Sequence, residues 1–597
     1  MKQLHHNGVL VPPRYRGKGF TIQVKEKKTK LTPRQEEMAF AWAKKVGTPY
    51  VEDPVFAKNF HRDFSKMLGI SVKPGDVDYS DVLSSIEKEQ ARKENLSRQE
   101  RKQLTAQRKA RRAANKDRYG YAWVDGAQVE VANYAVEPSS IFIGRGKHPL
   151  RGRWKEGACE EDVELNLSPD APRPSGNWKI VWQPDSMWIA RWRDKLAGKT
   201  KYVWFSDSSI VKQRKDIEKF GKARKLRRNL ARVQRHIREN LNAHDLRRRK
   251  TATVCFLIDR LKIRVGDEKD PDEADTVGAS TLRPKHVRFN GDGTATFNFL
   301  GKDSVPHIFT VELPSNVTKN LKEFTASTRS TLFDGVDSKH VSEFLDEVMV
   351  GLSAKVFRTC YTSEAVETSL KKAPVKPEDP EYVKKYTATM ANLQAAKVCN
   401  HRRTIRKTWR SSLEKKKDRL KALKSQAKDA QDKLRQKIKD WKEKYCERLR
   451  KQEEKLKAMW AKLDAHRQQL AEKKQQGKSV RALKRRISLE RKAVTRQKQR
   501  LKLLKLKHEE GMKKLRQRLE SRMQRDKASI HKLKLKIEAQ KETRDYNLGT
   551  SLKSYIDPRI YYEWGKQVEY DWKQYYPKTL QRKFSWVETD GVTPEKR

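Results

Sequence analysis

One tyrosine near the C-terminus is a candidate nucleophile. Tyr555 lies in a short segment, 548–560, that follows a long and strongly basic stretch of the chain. A phenol oxygen can form a covalent intermediate when neighbouring groups activate it. The chain contains 18 tyrosines, so the residue type alone does not single out Tyr555. Residues elsewhere in the sequence are needed to identify Tyr555 as a nucleophile.

Three other motifs do not support a nucleotide-binding or metal-binding site. Residues 198–200 end like a phosphate-binding loop, but Arg193 stands where the first glycine is required, so ATP use has no support. Residues 267–275 are acidic but lack the glycine and final glutamate of a calcium loop. His5 and His6 are adjacent in a terminus predicted to be mobile, and we assign them no metal. The sequence predicts no metal, nucleotide or other cofactor.

Five segments, the last of which contains Tyr555, carry an arginine, a lysine, a second arginine, a histidine and the tyrosine, in that order. In sequence and order these segments resemble the core of type IB DNA topoisomerases, and the resemblance runs from near residue 8 almost to the C-terminus. In the stretch between the histidine and the tyrosine, the resemblance is limited to the position of a linker and its basic coiled-coil character. The segments are 261–269 with Arg264, 299–304 with Lys302, 354–359 with Arg358, 399–402 with His401, and 550–559 with Tyr555.

The resemblance implies a phosphoryl-transfer site. Tyr555 would attack a DNA phosphodiester and form a 3′-phosphotyrosine. Arg264 and Arg358 would hold the non-bridging oxygens, because guanidinium groups bind phosphate bidentately and keep their charge. His401 would donate one more hydrogen bond, and Lys302 would protonate the leaving 5′ oxygen. Taken singly, each of these residues is more often an ordinary ion-pair, turn or helix-end residue, and only the ordered set indicates catalysis.

The same resemblance suggests which residues contact DNA. Segment 142–149 is similar to the loop that the family uses beside the cleavage site. Contacts to phosphates orient a duplex but read little sequence, so we expect only weak site preference. The predicted DNA-contacting residues are Arg145, His148, Lys201, Tyr202, Lys219, Asp303, Lys355 and Ser554.

Some features depart from the family's pattern. Ser554 precedes the tyrosine where eukaryotic members have asparagine, and Cys360 and Tyr361 replace a common Tyr-Asn pair. The charged N-terminal extension of eukaryotic members is missing. Its absence favours an archaeal-like minimal form that works on chromosomal DNA in the cytoplasm, with the eukaryotic nucleus as the alternative location.

The composition indicates a nucleic-acid partner. The formal net charge is +59 over 597 residues, and lysine and arginine displace counterions from phosphates. An anionic membrane surface is the rival partner, but no apolar run approaches the ~20 residues that span a bilayer. The start of the chain leads into no apolar stretch, so no signal peptide is visible. The five scattered cysteines form no C-x-x-C pair and favour free thiols in a reducing compartment.

The stretch 405–545 differs in kind from the rest. It contains no proline, and its 50 Lys and Arg face 19 Asp and Glu. Apolar residues recur every seven positions from Leu413 to Leu470 and again from Val480 to Ile537, apart from single eight-residue steps. A probable break around Gly477 divides two arms of similar length. The pattern fits a dimerisation coiled coil about as well as an antiparallel hairpin, and the equal arms favour the hairpin.

A hairpin would return the chain to its starting point and bring Tyr555 beside His401. We therefore predict an α+β multidomain protein: a two-lobed DNA clamp with a mostly helical catalytic lobe, a coiled-coil linker and a small helical C-terminal domain. Strands are expected at 178–182, 187–190, 202–205, 288–299 and 307–313, and a charged helical arm at 87–116. The predicted domains are 1–215 (N-terminal lobe), 216–404 (catalytic lobe), 405–545 (linker) and 546–597 (C-terminal domain).

The predicted function is relaxation of supercoiled duplex DNA by a monomeric enzyme that needs neither ATP nor metal. One alternative is a tyrosine site-specific recombinase, which shares a similar set of residues but normally lacks the long linker. Another is a non-enzymatic coiled-coil protein that organises DNA. The three differ in whether Tyr555 matters and in whether special DNA sites are required.

Overall fold

The computed structural model describes residues 1–144, 146–267, 275–328 and 330–590, apart from the side chains of Asp303 and Asp590. It is a mixed structure of helices and strands in which helix predominates. The described residues of Met1–Pro377, Ala391–Arg402 and Tyr546–Arg597 form a first compact unit, and Glu378–Met390 with Arg403–Asp545 form a second.

The N-terminal part of the first unit combines short strands with four helices in the described chain. The strands expected at 178–182, 187–190 and 202–205 are confirmed by strands at Lys179–Val181, Trp188–Arg193 and Thr200–Trp204. The helices are α1 (Pro33–Ala43), α2 (Pro54–Leu68), α3 (Ser80–Glu94) and α4 (Arg98–Tyr119). The strands are β1 (Leu4–His6), β2 (Thr21–Val24), β3 (Lys27–Lys30), β4 (Val77–Asp78), β5 (Tyr121–Val124), β6 (Ala127–Glu130), β7 (Ser140–Ile141), β8 (Trp154–Lys155), β9 (Val163–Asn166), β10 (Lys179–Val181), β11 (Trp188–Arg193) and β12 (Thr200–Trp204).

These strands form small sheets around two apolar cores. The strand orders are β1-β5-β6, β3-β2-β4 and β10-β9-β11-β12, and β7 pairs with β8. The β9–β10 pair is parallel and the other pairs are antiparallel. One core gathers residues of β1, β5, β6, β9, β11 and β12, and the other packs α1 and α2 against β2. Burial alternates along β2 and β5, so the sheets that contain these strands bury one face.

The N-terminus is more ordered than the sequence suggested. His6 lies in β1, is 1% exposed, and its Nε2 lies 3.1 Å from the carbonyl of Asn166. Its Nδ1 accepts the N–H of Gly8 at 3.1 Å. His5 stacks on Trp123 with ring centroids 4.5 Å apart. The prediction of a mobile terminus was wrong because pairing of β1 with β5, which lies more than a hundred residues away, fixes both rings.

The charged arm predicted at 87–116 is two helices rather than one. α3 ends at Glu94, and Ser97 starts α4 with a capping box in which its hydroxyl accepts the N–H of Glu100. α4 has no buried residue. Its exposure on all sides explains why its sequence carries charge without an apolar stripe.

The second part of the first unit surrounds a larger core formed by α5 to α9 and β14. The strand, turn and strand expected at 288–299 are confirmed as β13 and β14, and β15 follows them in an antiparallel sheet. α5 runs without a break through positions 215 and 216, where the predicted lobes divide; the four-domain division itself stays a prediction. The elements are α5 (Ile210–Asn240), α6 (Leu246–Leu261), β13 (Val287–Phe289), β14 (Thr294–Gly301), β15 (Val305–Glu312), α7 (Ser315–Ser327), α8 (Ser338–Asp346), α9 (Ala354–Lys372) and, from Ala391 onward, α10 (Glu381–Val398).

The chain re-enters the first unit at Tyr546. Arg402 and Tyr546 form an isolated antiparallel β-bridge, and the N–H of Asn547 donates to the carbonyl of His401 at 2.7 Å. The two ends of the intervening segment therefore meet. Four short helices follow in the described residues: α13 (Leu548–Ser554), α14 (Pro558–Gln567), α15 (Lys578–Lys583) and α16 (Val587–Asp590).

The second unit consists mainly of α11 (Trp409–Gln475) and α12 (Arg481–Glu542). Leu413 near the start of α11 packs with Leu533 and Ile537 near the end of α12. Leu463 packs with Ile487 at the opposite ends, so the two helices run in opposite directions. Among the described helices of the chain, none combines the length and apolar character needed to cross a bilayer.

Candidate active site

Arg358, in α9, is a fully buried cation at 1% exposure. Its two terminal nitrogens donate to the carbonyl of Lys262 at 3.1 Å and to the carbonyl of Cys399 at 3.0 Å. These carbonyls end α6 and α10, where backbone acceptors lack partners within the helix. The bonds satisfy both helix ends and fix the guanidinium. Its Nε is buried with no hydrogen-bond partner among the described residues.

His401 follows α10, where the chain turns in a Schellman motif. Asn400 has φ +49°, a left-handed conformation that asparagine adopts more readily than most residues. The N–H of His401 donates to Ala396 at 2.9 Å and that of Asn400 donates to Lys397 at 3.0 Å, which satisfies the last carbonyls of the helix. The motif fixes the backbone of His401, and the Nδ1 of its ring lies 2.7 Å from the hydroxyl of Ser551.

Tyr555 lies in the turn between α13 and α14 and is 9% exposed. Its N–H donates to the carbonyl of Ser551 at 2.9 Å, and its own carbonyl accepts the hydroxyl of Ser363 at 3.2 Å. Asp557 caps α14 and Pro558 occupies its first turn, so α13 cannot continue through this point. The sequence after Tyr555 therefore places the ring at a helix end.

Three of the five predicted catalytic side chains meet directly. The guanidinium carbon of Arg358 lies 5.2 Å from the centre of the Tyr555 ring. The ring centroids of His401 and Tyr555 are also 5.2 Å apart. A terminal nitrogen of Arg358 lies 3.4 Å from Nε2 of His401. The structure brings these residues together from three distant parts of the sequence.

The imidazole of His401 is neutral at neutral pH. Burial lowers its pKa to about 3, and the charges of Arg358 and Arg264 act in the same direction. Arginine can only donate, so the 3.4 Å contact favours an accepting Nε2 and a proton on Nδ1. The hydroxyl of Ser551 can also donate to Nδ1, and the opposite tautomer would keep that hydrogen bond.

Arg264 lies just after α6 and is half-buried, on a segment held by backbone pairing. The N–H of Ala279 donates to its carbonyl at 2.9 Å. Gly266 and Gly278 approach so closely that a Cβ on Gly266 would lie 2.8 Å from the backbone of Gly278. Only glycine fits this crossing. The charge of Arg264 reaches His401, since it contributes to that residue's lowered pKa.

Lys302 begins the short turn between β14 and β15 and is exposed. Among the described residues it has no hydrogen-bond or ion-pair partner. The turn is tight: Gly301 pairs with Val305, and Ser304 adopts φ +57°. Among the described residues, Arg358 and His401 contact the ring of Tyr555, and no contact joins Lys302 to that ring.

The predicted DNA contacts nearest the cleavage site are only partly described. Arg145 lies outside the described residues. His148 is half-buried, and its Nδ1 accepts the N–H of Leu150 at 3.2 Å. The backbone of Asp303 belongs to the Lys302 turn, and its side chain lies outside the described part. Ser554 is the half-buried last residue of α13.

The other predicted DNA contacts lie on β12, α5 and α9. Lys201 is half-buried and Tyr202 is 38% exposed, both in β12. Lys219 donates to Asp216 at 2.6 Å, and burial lowers the pKa of Lys219 although Asp216 opposes the effect. Lys355 is exposed in the first turn of α9. All eight assignments stay predictions.

Three residues of this site escaped the sequence reasoning: Ser551, Ser363 and His307. Ser551 lies in α13 four positions before Tyr555, which follows the end of that helix, so helical spacing was a usable signal. Ser363 lies one helical turn after the second arginine segment, yet its partners at 555 and 557 come from far along the chain. His307 is buried in β15, and Arg358 and Arg264 both act on its pKa.

Family models match three consecutive parts of this chain. Residues 1–205 match the DNA binding fragment of eukaryotic DNA topoisomerase I. Residues 208–434 match the catalytic core of eukaryotic DNA topoisomerase I, which includes four of the five predicted catalytic positions. Residues 527–594 match a C-terminal topoisomerase domain, which includes Tyr555. The matched class is therefore the type IB topoisomerases.

Individual relatives agree over almost the whole chain. DNA topoisomerase 1 of Candidozyma auris is 30% identical over 621 residues, covering 98% of this chain and 81% of the relative. DNA topoisomerase 1 of Homo sapiens is 28% identical, with coverage of 98% and 70%. DNA topoisomerase 1 beta of Arabidopsis thaliana is 31% identical over all of this chain, which spans 59% of the relative's length. The chain belongs to the eukaryotic DNA topoisomerase I family.

Proposed function

We propose that this protein relaxes supercoiled duplex DNA by cutting and resealing one strand through Tyr555. The observation that carries the proposal is the contact of Tyr555 with Arg358 and His401, each 5.2 Å from its ring by the distances given above. Family membership supports the same reaction. The whole activity remains a proposal, because the chain spans 59% of the length of its Arabidopsis relatives.

In the proposed reaction the phenol oxygen of Tyr555 attacks the phosphorus of a DNA phosphodiester. A bond forms between that oxygen and phosphorus, and the bond from phosphorus to the 5′ oxygen breaks. The phenol proton passes to solvent, and Lys302 supplies a proton to the leaving 5′ oxygen. The product is a 3′-phosphotyrosine and a free 5′ hydroxyl. Reversal of the same steps reseals the strand without ATP because the phosphoester bond is conserved.

Arg358 and Arg264 hold the non-bridging oxygens as negative charge develops on them. Arg358 is suited to this role because two backbone carbonyls already fix its guanidinium, so little reorganisation is needed when the phosphate arrives. A phosphate oxygen would enter beside the 3.4 Å contact between Arg358 and His401. His401 then donates from Nε2, while the hydroxyl of Ser551 turns to donate to Nδ1.

Lys302 must reach the 5′ oxygen from an exposed turn. Its lack of a partner among the described residues leaves the ammonium group available for the leaving group. We propose that duplex DNA fills the space between Lys302 and the buried residues.

Further proposals concern how the protein holds duplex DNA and what role each part of the chain has. We propose that the two parts of the first unit act as lobes that clamp duplex DNA, with metal-independent catalysis by a monomer. α11 and α12 would act as a basic coiled-coil hairpin linker close to the DNA. Their opposite directions and their shared apolar contacts support this interpretation. The working location would be chromosomal DNA; the relatives compared here are eukaryotic, and the archaeal-like source stays a prediction.

The test is Tyr555→Phe, which removes the nucleophilic oxygen and keeps the ring. We expect relaxation of a supercoiled plasmid, in EDTA and without ATP, to fall below detection while duplex binding stays within about twofold, since phosphate contacts supply most affinity. The plasmid carries no special sites. Activity only on paired specific sites would favour a recombinase. A Tyr555→Phe variant indistinguishable from the unmodified protein would favour a DNA-organising role.

A further inference from the structure

The strands on either side of Lys302 are fastened to two other parts of the site. The N–H of Val277 donates to the carbonyl of Leu300 at 2.8 Å, on the Arg264 side. The side-chain amide of Asn400, next to His401, donates to the carbonyl of Pro306 at 3.0 Å. Lys302 extends from the turn between these two attachments. Small movements of the turn would therefore change where its ammonium group lies.

The ring of His307 fills the space beneath this turn. It is 5% exposed and stacks on Phe299 with centroids 5.1 Å apart and planes within 1°. A Cβ on Gly301, the residue before Lys302, would lie only 2.6 Å from the ring. The backbone of Gly301 therefore rests directly against the imidazole. Nδ1 of His307 is buried without a partner in the described part of the chain, so shape rather than hydrogen bonding explains its position.

The charges of the arginines in the proposed phosphate site also act on the imidazole of His307. Burial lowers its pKa to about 4, with Arg358, Arg264 and Arg402 adding to the effect. The ring is therefore neutral at neutral pH and adds no charge beside the arginines. Its immediate neighbours are the aromatic rings of Phe299 and Phe309. An uncharged, tightly packed ring of this kind supports a backbone without competing for the phosphate.

We propose that His307 is a positioning residue: its ring, packed against Phe299 and Gly301, holds the turn that directs Lys302 to the leaving 5′ oxygen. The inference rests on the proposed function, because it assumes that Lys302 protonates that oxygen. It goes beyond the five predicted catalytic residues. A misplacement near 1 Å at a proton donor can cost on the order of 100-fold in rate, so a packing residue can control the step.

The experiment measures single-turnover cleavage of two duplexes. One has an ordinary phosphodiester at the cut, and the other has sulfur in place of the bridging 5′ oxygen. A thiolate leaves without a proton, so the sulfur substrate bypasses the acid. We expect His307→Ala to cleave the ordinary duplex roughly 10-fold more slowly and the sulfur duplex at the unmodified rate. His307→Phe, which keeps the stacked ring, should restore the ordinary rate.

Two further variants guard against a general loss of folding. Phe289→Ala removes a ring from β13 at the end of the sheet away from the turn and should not distinguish the two substrates. Gly301→Ala should collide with the ring and reproduce the His307→Ala pattern. In the double variant Gly301→Ala with His307→Ala the collision is gone, so the two effects should not add. This cycle remains informative if His307→Ala alone is poorly stable.

The outcomes separate the inference from the function on which it rests. If the Lys302→Ala variant still cleaves the sulfur duplex slowly, the acid role of Lys302 is wrong, and with it that part of the proposed function. If Lys302→Ala is rescued by sulfur but His307→Ala slows both duplexes equally, or slows neither, the positioning role of His307 is wrong.

Discussion

At the scale of single residues, the hydroxyl of Ser551 contacts the imidazole of His401 and can hydrogen-bond to either tautomer of the ring. Nδ1 of that ring lies 2.7 Å from the hydroxyl oxygen, and Nε2 lies 3.4 Å from a terminal nitrogen of Arg358. Because Ser551 can donate or accept, the ring can hold its proton on either nitrogen. A phosphate beside Nε2 requires the tautomer in which Nε2 carries the proton. The serine allows that change without breaking the hydrogen bond.

We therefore predict that Ser551→Ala slows strand cleavage. The lost hydrogen bond is worth about 1 kcal/mol, which corresponds to roughly a 5- to 10-fold decrease in the cleavage rate. Single-turnover cleavage at saturating protein measures this step separately from DNA binding. Ser342→Ala, which removes a helical hydroxyl bonded only to the backbone one turn earlier, is the control and should be neutral. An unchanged rate for Ser551→Ala would contradict tautomer control.

The order of the segments was enough to predict the catalytic residues from the sequence. It did not predict the residues that hold them in place. Arg358, His401 and Tyr555 could be named because their segments are short and distinctive. Ser363 and His307 could not, because each acts on residues that only tertiary structure brings near. The Lys302 turn and the exposure of its lysine were both predictable, because a lysine beside an aspartate in a tight turn is usually solvated. The packing of the His307 ring beneath that turn was not predictable.

At the scale of elements, α11 and α12 meet closely where an aromatic ring fits over a glycine. A Cβ on Gly511 would lie 2.4 Å from the Trp441 ring. Nearby, Tyr445 stacks on His508 with centroids 3.7 Å apart. The seven-residue pattern predicted two helices and the break near 477, where Gly477 has φ +64°. It did not predict this contact, because Trp441 looked like any other apolar position in the repeat.

We predict that Gly511→Ala loosens the two helices despite its better helix propensity. Alanine in a helix interior ordinarily gains about 1 kcal/mol over glycine, but here the added methyl group collides with Trp441. Hydrogen exchange around positions 441 and 511 should become faster. Gly221→Ala in α5, where a Cβ meets nothing within 4 Å, is the matched control and should slow exchange or leave it unchanged. Equal protection in the Gly511→Ala variant and the unmodified protein would contradict the predicted collision.

The N-terminal sheet should be sensitive to acid through His6. Burial lowers the pKa of His6 to about 4, below its ordinary value of 6.5. Between these values the unfolded chain binds a proton that the folded chain does not, so stability falls as the pH falls from 6.5 towards 4. Lowering the pH from 7 to 4.5 should cost the unmodified protein on the order of 2 to 3 kcal/mol more than His6→Gln. Chemical unfolding at the two pH values measures this difference, and equal losses would exclude a role for His6.

At the scale of the whole molecule, charge and connectivity were easier to predict than packing. More than half of the net charge lies in 405–545, and this concentration of charge predicted a solvated, helical segment. The return of the chain to His401 was predicted from two arms of equal length, and the pairing of Arg402 with Tyr546 confirms that return. The division into lobes at 215 and 216 stays a prediction, and α5 is continuous through these positions.

The central claim is that Tyr555 becomes joined to DNA. The direct measurement uses a duplex whose cut strand ends a few nucleotides beyond the cleavage site, so that the short 5′-hydroxyl fragment diffuses away and the adduct persists. After reaction in EDTA and digestion, mass spectrometry should find a nucleotide joined through its 3′ phosphate to the peptide containing Tyr555. An adduct on another residue, a 5′ linkage, or no adduct with bound and intact DNA would contradict the account.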